Sequence, residues 1–203
     1  MIQAPDIPFA IDYDWSRMIR IYDVLIEKHR SGFFKNTTYR FPHIPDLEAH
    51  DIGKYGTIVT SRGLTPWEDW YVWTGQLLDT VFPWTQTLKD RFSEHNIDFV
   101  DISLSRHFHS ISQHIDRKTA GIAEDGHCNL NYIIESDPDA RSYFESAEGT
   151  VCYPSPQNTA WLLDSSVSHW VENEGPRIVF QLRFHSPYQL VLDNLQQYPI
   201  RLS

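Results

Sequence analysis

From residue 97 onward the chain breaks into short stretches in which apolar and polar residues alternate: IDFVDISLS, FHSISQHID, CNLNYIIE, GTVCYP, TAWLLD, SHWVEN and RIVFQLRFH. Gly, Pro, Asp and Ser punctuate them. Successive side chains of a strand point to opposite faces, so this texture specifies strands with one buried face each. Strands of this number and spacing predict a sandwich or barrel.

The first half reads differently. In DWSRMIRIYDVLIEKHRSG, residues Met18, Ile21, Tyr22, Leu25 and Ile26 recur at helical spacing, with Asp14 placed to cap and Gly32 to stop the helix. TPWEDWYVWTGQLLDTV opens with Thr65, Pro66 and Glu68 as a capping box and sets Trp67, Trp70, Tyr71, Leu77 and Leu78 near one face, which predicts a second helix with a core-facing stripe. PWTQTLKDRFSE predicts a third helix from Pro83. The expected fold is mainly β with N-terminal helices packed outside the strands. The division is one domain over 1–203: mostly helical support over 1–96, a β core over 97–186, and a C-terminal extension over 187–203. The segment between about residues 33 and 64 has no clear period.

Composition narrows the function. Aromatics make up 14% of the chain, seven of them Trp, as in a protein with a packed core. The formal net charge is −10 and no Lys/Arg cluster stands out, which disfavours a nucleic-acid backbone as partner. No apolar run is long enough to span a bilayer, and the start MIQAPDIPFAIDYD carries acidic residues where a secretory signal places basic ones, so a cytoplasmic chain is expected. Cys128 and Cys152 form no C-x-x-C unit, which argues against a zinc ribbon or a disulfide framework.

The stretch RIVFQLRFH is unusual. Alternation puts Ile178, Phe180, Leu182 and Phe184 on one face and Arg177, Val179, Gln181, Arg183 and His185 on the other. Either that second face is a solvated edge, or two arginines and a glutamine line an interior that binds an anion. A second cue is SISQHIDRKTAG, where His114 and Asp116 are separated by one residue and so share a strand face. Alone, such a pair is what chance supplies in a chain with 10 histidines. A later strand adds His169 in SSVSHWVEN. Two histidines and one carboxylate on one side of a metal, with the other positions open, form the facial triad of non-haem iron(II) oxygenases.

The order His-x-Asp, a distant His, then Arg at the head of the next strand resembles the iron(II)- and 2-oxoglutarate-dependent dioxygenases, in their prolyl hydroxylase-like or aspartyl/asparaginyl β-hydroxylase-like branches. DSSVSHWVENEGPRIVFQLRF looks like that family's closing segment, and the likeness covers roughly residues 97–186. The resemblance implies a double-stranded β-helix, also called a jelly roll or cupin-like barrel. It implies that His114, Asp116 and His169 hold Fe(II). It implies that Arg177 pairs with the distal carboxylate of 2-oxoglutarate, with Arg183 as the rival for that role. HCNLNYIIE looks like the strand beside the cosubstrate, which makes His127 and Asn129 further candidates, although the arginine that flanks the corresponding histidine in the aspartyl hydroxylase branch is missing. In this chemistry dioxygen oxidatively decarboxylates 2-oxoglutarate and a C–H bond of an amino acid, peptide side chain or small metabolite is hydroxylated. No catalytic residue beyond the metal ligands is required. Two other classes remain open: a cupin-type metalloenzyme that does not use 2-oxoglutarate, and a non-catalytic β-barrel binding protein.

Overall fold

The computed structural model describes residues 3–4, 7–16, 59–60, 71–74, 84–107, 110–115 and 128–203. The strands are β1 (Gln3–Ala4), β2 (Phe9–Ile11), β3 (Val59–Thr60), β4 (Tyr71–Thr74), β5 (Phe99–His107), β6 (Ile111–His114), β7 (Cys128–Glu135), β8 (Arg141–Ser146), β9 (Gly149–Pro154), β10 (Ala160–Asp164), β11 (His169–Glu172), β12 (Arg177–Phe184) and β13 (Ile200–Leu202). Two helices are described, α1 (Thr85–Glu94) and α2 (Tyr188–Gln197).

Pairing among β5 to β12 is nested. The first of the eight strands pairs with the last, β5 with β12; β6 pairs with β11, β7 with β10, and β8 with β9, all antiparallel. A long hairpin paired in this way can bury its apolar faces only by rolling up. Lateral pairings of β12 with β7 and of β11 with β8 join the rolled layers. The products are a large sheet of order β1-β10-β7-β12-β5-β4-β3 and a smaller one of order β6-β11-β8-β9. This is a double-stranded β-helix, the jelly-roll architecture expected from the closing segment.

Two apolar clusters follow from strand alternation. On the outer face of the large sheet, Leu130, Tyr132, Leu162, Ile178, Phe180, Leu182 and Phe184 pack with Leu88 and Phe92 of α1, Val191 and Leu195 of α2, and Trp15 and Trp84. Trp84 meets the Phe180 ring edge-on at 5.4 Å, and Phe92 meets Phe184 at 4.9 Å. Between the two sheets lies a smaller cluster: Ile133, Trp161, Leu163 and Val179 from the large sheet against Phe144 from the small one, with Tyr153 beside it. The central strand β12 thus serves both clusters, one with each face.

The strand-like stretches of the sequence all contain a strand of the fold. The strand RSYFES escaped notice because the residues on its inner face are Ser142, Phe144 and Ser146, too polar to show a period. Tyr71–Thr74 corrects the second helix: it is strand β4, hydrogen-bonded to β5 and β3. Tyr, Val, Trp and Thr all favour the pleated surface, and an open edge of β5 was there to pair with. Other residues of that stretch lie outside the described ones, as do most of the first helix and its stripe; Asp14 does accept the Ser16 N–H at 3.0 Å, as a cap would. The third helix is α1. Among the described residues no helix is long and apolar enough to cross a membrane.

Two measurements test this packing. Phe180 is fully buried under both tryptophans, so Phe180→Ala is expected to cost about 3–5 kcal/mol in urea unfolding. Cys128 is fully buried and its burial pushes the thiol up, whereas Cys152 is exposed. A thiol reagent should therefore titrate one cysteine in the native protein at neutral pH and both after denaturation.

Candidate functional site

The small sheet builds one half of the site. His169 opens β11 and takes register positions opposite His114 on β6 and Phe144 on β8. Directly opposed residues share a face, so one row runs His114, His169, Phe144. Phe144 belongs to the cluster between the sheets, which turns the whole row inward. The two imidazoles lie 4.3 Å apart, centroid to centroid, and the Phe144 ring stacks 6.2 Å from His169. His169 is 8% exposed and His114 is half-buried.

The Nδ1 of His169 lies 2.8 Å from the Val167 carbonyl oxygen. A carbonyl can only accept, so Nδ1 carries the proton, and in the neutral ring Nε2 carries the lone pair. Holding the second ring nitrogen of a histidine in this way is how proteins orient an imidazole toward a metal. Two imidazoles brought to one point suit a first-row transition metal. The residues present fit an iron ion in this respect.

The large sheet forms the opposite wall. Phe144 meets Trp161 edge-on at 5.2 Å, and Trp161 pairs with Asn131, which pairs with Gln181. The histidine row thus meets the large sheet through Phe144, at the end of the row Trp161, Asn131, Gln181. Gln181 Nε2 donates to Asn131 Oδ1 at 2.9 Å, which fixes both amides. One row toward the start of β7 lie Asn129 and Arg183, again register partners, with Asp101 of β5 in register on the other flank of Arg183. Two rows the other way lies Arg177, in register with His107.

The two ends of this interior differ. Near Arg177 the turn of residues 173–176 is clasped from both sides. Ser110 donates through Oγ to the Asn173 carbonyl at 3.2 Å and accepts the Asn173 N–H at 3.1 Å, while the Glu174 N–H reaches Asp137 Oδ2 at 3.3 Å. Arg177 and Val179 are 4% and 3% exposed. Farther along the same face Gln181 and Arg183 become half-exposed, although the alternate residues on the outer face stay buried to the end of the strand.

Arg177 is the electrostatic anomaly. It makes no ion pair among the described residues, and its buried Nε has no hydrogen-bond partner there. Burial alone pulls its pKa down to about 10. A buried guanidinium in that condition is stabilised by an anion placed against it.

Of the residues expected from the sequence, His114 and His169 come together, and Arg177, Arg183 and Asn129 join them in the barrel interior. Asp116 and His127 lie outside the described residues, and among the described residues no group of three His, Cys, Asp or Glu side chains forms a metal site. His107 and His114 belong to different strands: β5 ends at His107 and β6 begins at Ile111. Phe144 and Trp161 were missed as parts of the site. Their strands carry no polar motif, and only the cross-sheet ring contact reveals their role.

No protein-family profile matches the chain, and no curated protein does. Solved structures with a similar chain path include an oxidoreductase of the 2OG-Fe(II) oxygenase family from Burkholderia pseudomallei, at 11% identity over 79% of this chain and 90% of the other, with a TM-score of 0.47. AviO1 from Streptomyces viridochromogenes matches at 12% identity over 92% and 90%, with a TM-score of 0.47. A Pseudomonas putida prolyl-4-hydroxylase matches at 9% identity over 91% of each chain, with a TM-score of 0.45. Likenesses this loose carry no argument, and the site stands on its own strands and side chains.

The anomaly of Arg177 yields a prediction with a definite sign. Its pKa is lower in the folded chain than in the unfolded one, so the cost of the buried charge is fully present below about pH 10 and is relieved only as the pH rises above that. Arg177→Met is accordingly expected to raise the stability of the ligand-free protein at pH 7 by about 1–3 kcal/mol, read from the urea midpoint. An unchanged or lower midpoint would mean that the guanidinium is already compensated.

Proposed function

We propose that the chain is an iron(II)- and 2-oxoglutarate-dependent oxygenase, a cytoplasmic enzyme that hydroxylates a C–H bond of an amino acid, peptide side chain or small metabolite. The observation that carries this reading is the register pair His114 and His169 on the same barrel interior as Arg177, which is buried and makes no ion pair among the described residues. A pair of imidazoles alone would serve many metalloenzymes. A buried cation beyond them suits a small acid bound at depth, which the cosubstrate of such an oxygenase would supply.

In this reading His114, Asp116 and His169 would hold the iron, and Arg177 would pair with the distal carboxylate of 2-oxoglutarate. The bound iron and cosubstrate supply the oxidising power, taken from dioxygen at the expense of the 2-oxo acid. The protein supplies orientation. The Val167 carbonyl holds His169 in the tautomer that ligates through Nε2. The Asn131 and Gln181 amides, locked to one another, offer fixed polar groups on the wall of the large sheet. Phe144, Trp161 and Val179 pack together in the interior, with Tyr153 beside them, and give it an apolar lining.

The test is an anaerobic titration of the iron(II)-loaded protein with 2-oxoglutarate, followed by the visible charge-transfer band of the chelate. The band is expected in the wild type and should be lost in Asp116→Ala. His169→Ala should fail to retain stoichiometric iron. Arg177→Met should raise the 2-oxoglutarate concentration at half-saturation by about tenfold or more, the weight of a charge-assisted contact. Iron binding without a band in the wild type would sink the cosubstrate assignment and leave a metalloenzyme of another kind.

A further inference from the structure

The small sheet ends in an open edge. Among the described strands the edges of the two larger sheets are β1, β3, β6 and β9; β1 and β3 have two residues and β6 has four, whereas β9 has six. The phase of its backbone follows from β8 beside it. The Glu145 N–H donates to the Ser168 carbonyl at 2.9 Å, toward β11, so Glu145 turns its backbone groups away from β9. Opposed residues of an antiparallel ladder point these groups both toward or both away from each other, and Glu145 opposes Thr150. Thr150 therefore offers its N–H and C=O to the open side, as does Cys152, while Gly149, Val151 and Tyr153 bond to β8. The Ser155 N–H, which reaches the Ala140 carbonyl at 3.3 Å, keeps the same phase. Among the described residues nothing pairs with the outward groups of Thr150 and Cys152. Val151 is 36% exposed, and Cys152 is exposed as well. Free edges in natural proteins are blunted by charges, lysine above all; here residues 149–153 carry no charge, and only Pro154, at the end of the strand, lacks a donor.

We propose that β9 pairs antiparallel with β9 of a second copy of this chain, across a two-fold axis at Val151, and joins two small sheets into one. The pairing is independent of the oxygenase reading. In this register Thr150 stands opposite the second copy's Cys152 and exchanges both backbone bonds with it, and the symmetric pair does the same, so every outward N–H of residues 149–153 finds a carbonyl. Pro154, which has no N–H, falls opposite Glu148, whose own N–H already donates to Ser146 Oγ at 3.2 Å. A shift that set Cys152 against Cys152 would oppose Thr150 to Pro154 and leave the Thr150 carbonyl without a donor. Charge favours the same partner. Pro154 neighbours Arg141 on β8, so the exposed Glu148 of one copy comes to about 10 Å, backbone to backbone, from Arg141 of the other, with Pro154 between them. Arg141 bonds through Nη1 to the Pro138 and Ala140 carbonyls and makes no ion pair among the described residues. The two-fold axis makes this contact twice. On the outer face the stacked rings of Trp170 and Tyr143, 5.1 Å apart, continue in register through Cys152 to the second copy's Thr150.

Sedimentation velocity over a concentration series should show the chain passing from monomer to dimer. Reversing either charge sets like charges against each other at both contacts. Glu148→Arg and Arg141→Glu are each expected to weaken the dimer by about tenfold or more, and an equimolar mixture of the two variants, in which every facing pair is again opposite in sign, should recover it. Thr150→Pro removes a donor on the open side only, and should weaken the dimer while leaving the circular dichroism of the monomer unchanged; Val151→Lys, which demands no special backbone angle, should do the same. The register is read by mild oxidation of Val151→Cys in a Cys152→Ser background. That variant should cross-link two chains, since residues at the axis stand about 4.5 Å apart, within disulfide reach. A chain that stays monomeric at every concentration would overturn the proposal, as would a dimer indifferent to both Thr150→Pro and Val151→Lys. So would charge variants whose mixture associates no better than either alone. Cross-linking of the wild type through Cys152, but not of the Val151→Cys variant, would move the axis off Val151 and overturn the pairing as stated.

Discussion

Everything in this molecule depends on the antiparallel ladder between β6 and β11. Backbone hydrogen bonds fix residue against residue, and here they fix His169 against His114 across a long stretch of sequence. A slip of one residue would turn one imidazole outward, because side chains in a strand alternate with period two. The apolar partners resist such a slip: Val171 is in register with Ile111 beyond an irregularity in the ladder, and Phe144, on the other side of His169, is held by Trp161 across the barrel. Ordinary packing thereby determines where the two nitrogen ligands meet.

The central strand β12 transmits the same constraint to the opposite wall. Its outer face is locked under α1, α2 and the tryptophans, which leaves the inner face no freedom to rotate. Polar residues there are costly to bury, yet Arg177 is almost wholly covered. The aromatic layer outside is what keeps that cost in place, since the phenylalanines of β12 cannot leave it without exposing large rings to water. Stability is concentrated on one face and chemistry on the other.

Much of this was legible in the sequence because it is written in period two. RIVFQLRFH separates the two faces of β12 with hardly an exception, and SHWVEN places its histidine unambiguously. What could not be read has physical reasons. RSYFES buries Ser142 in a hydrogen bond with Ser155 at 2.8 Å, so its inner face carries only a weak apolar signal. YVWT sits in a stretch whose Trp and Leu spacing also satisfies a helix, and only the neighbouring edge of β5 decides between the two. The meeting of Phe144 with Trp161 joins residues of different sheets, a relation that no local pattern encodes. The partnership of Arg183 with Asn129 is set by the register of β12 against β7, which the two strands' own sequences leave open.

The clasped turn at residues 173–176 leads into β12. Ser110 and Asp137 hold it to the segments just before β6 and β8 through three hydrogen bonds. Arg177 follows this turn directly, so its backbone is set in place by contacts that involve no ligand.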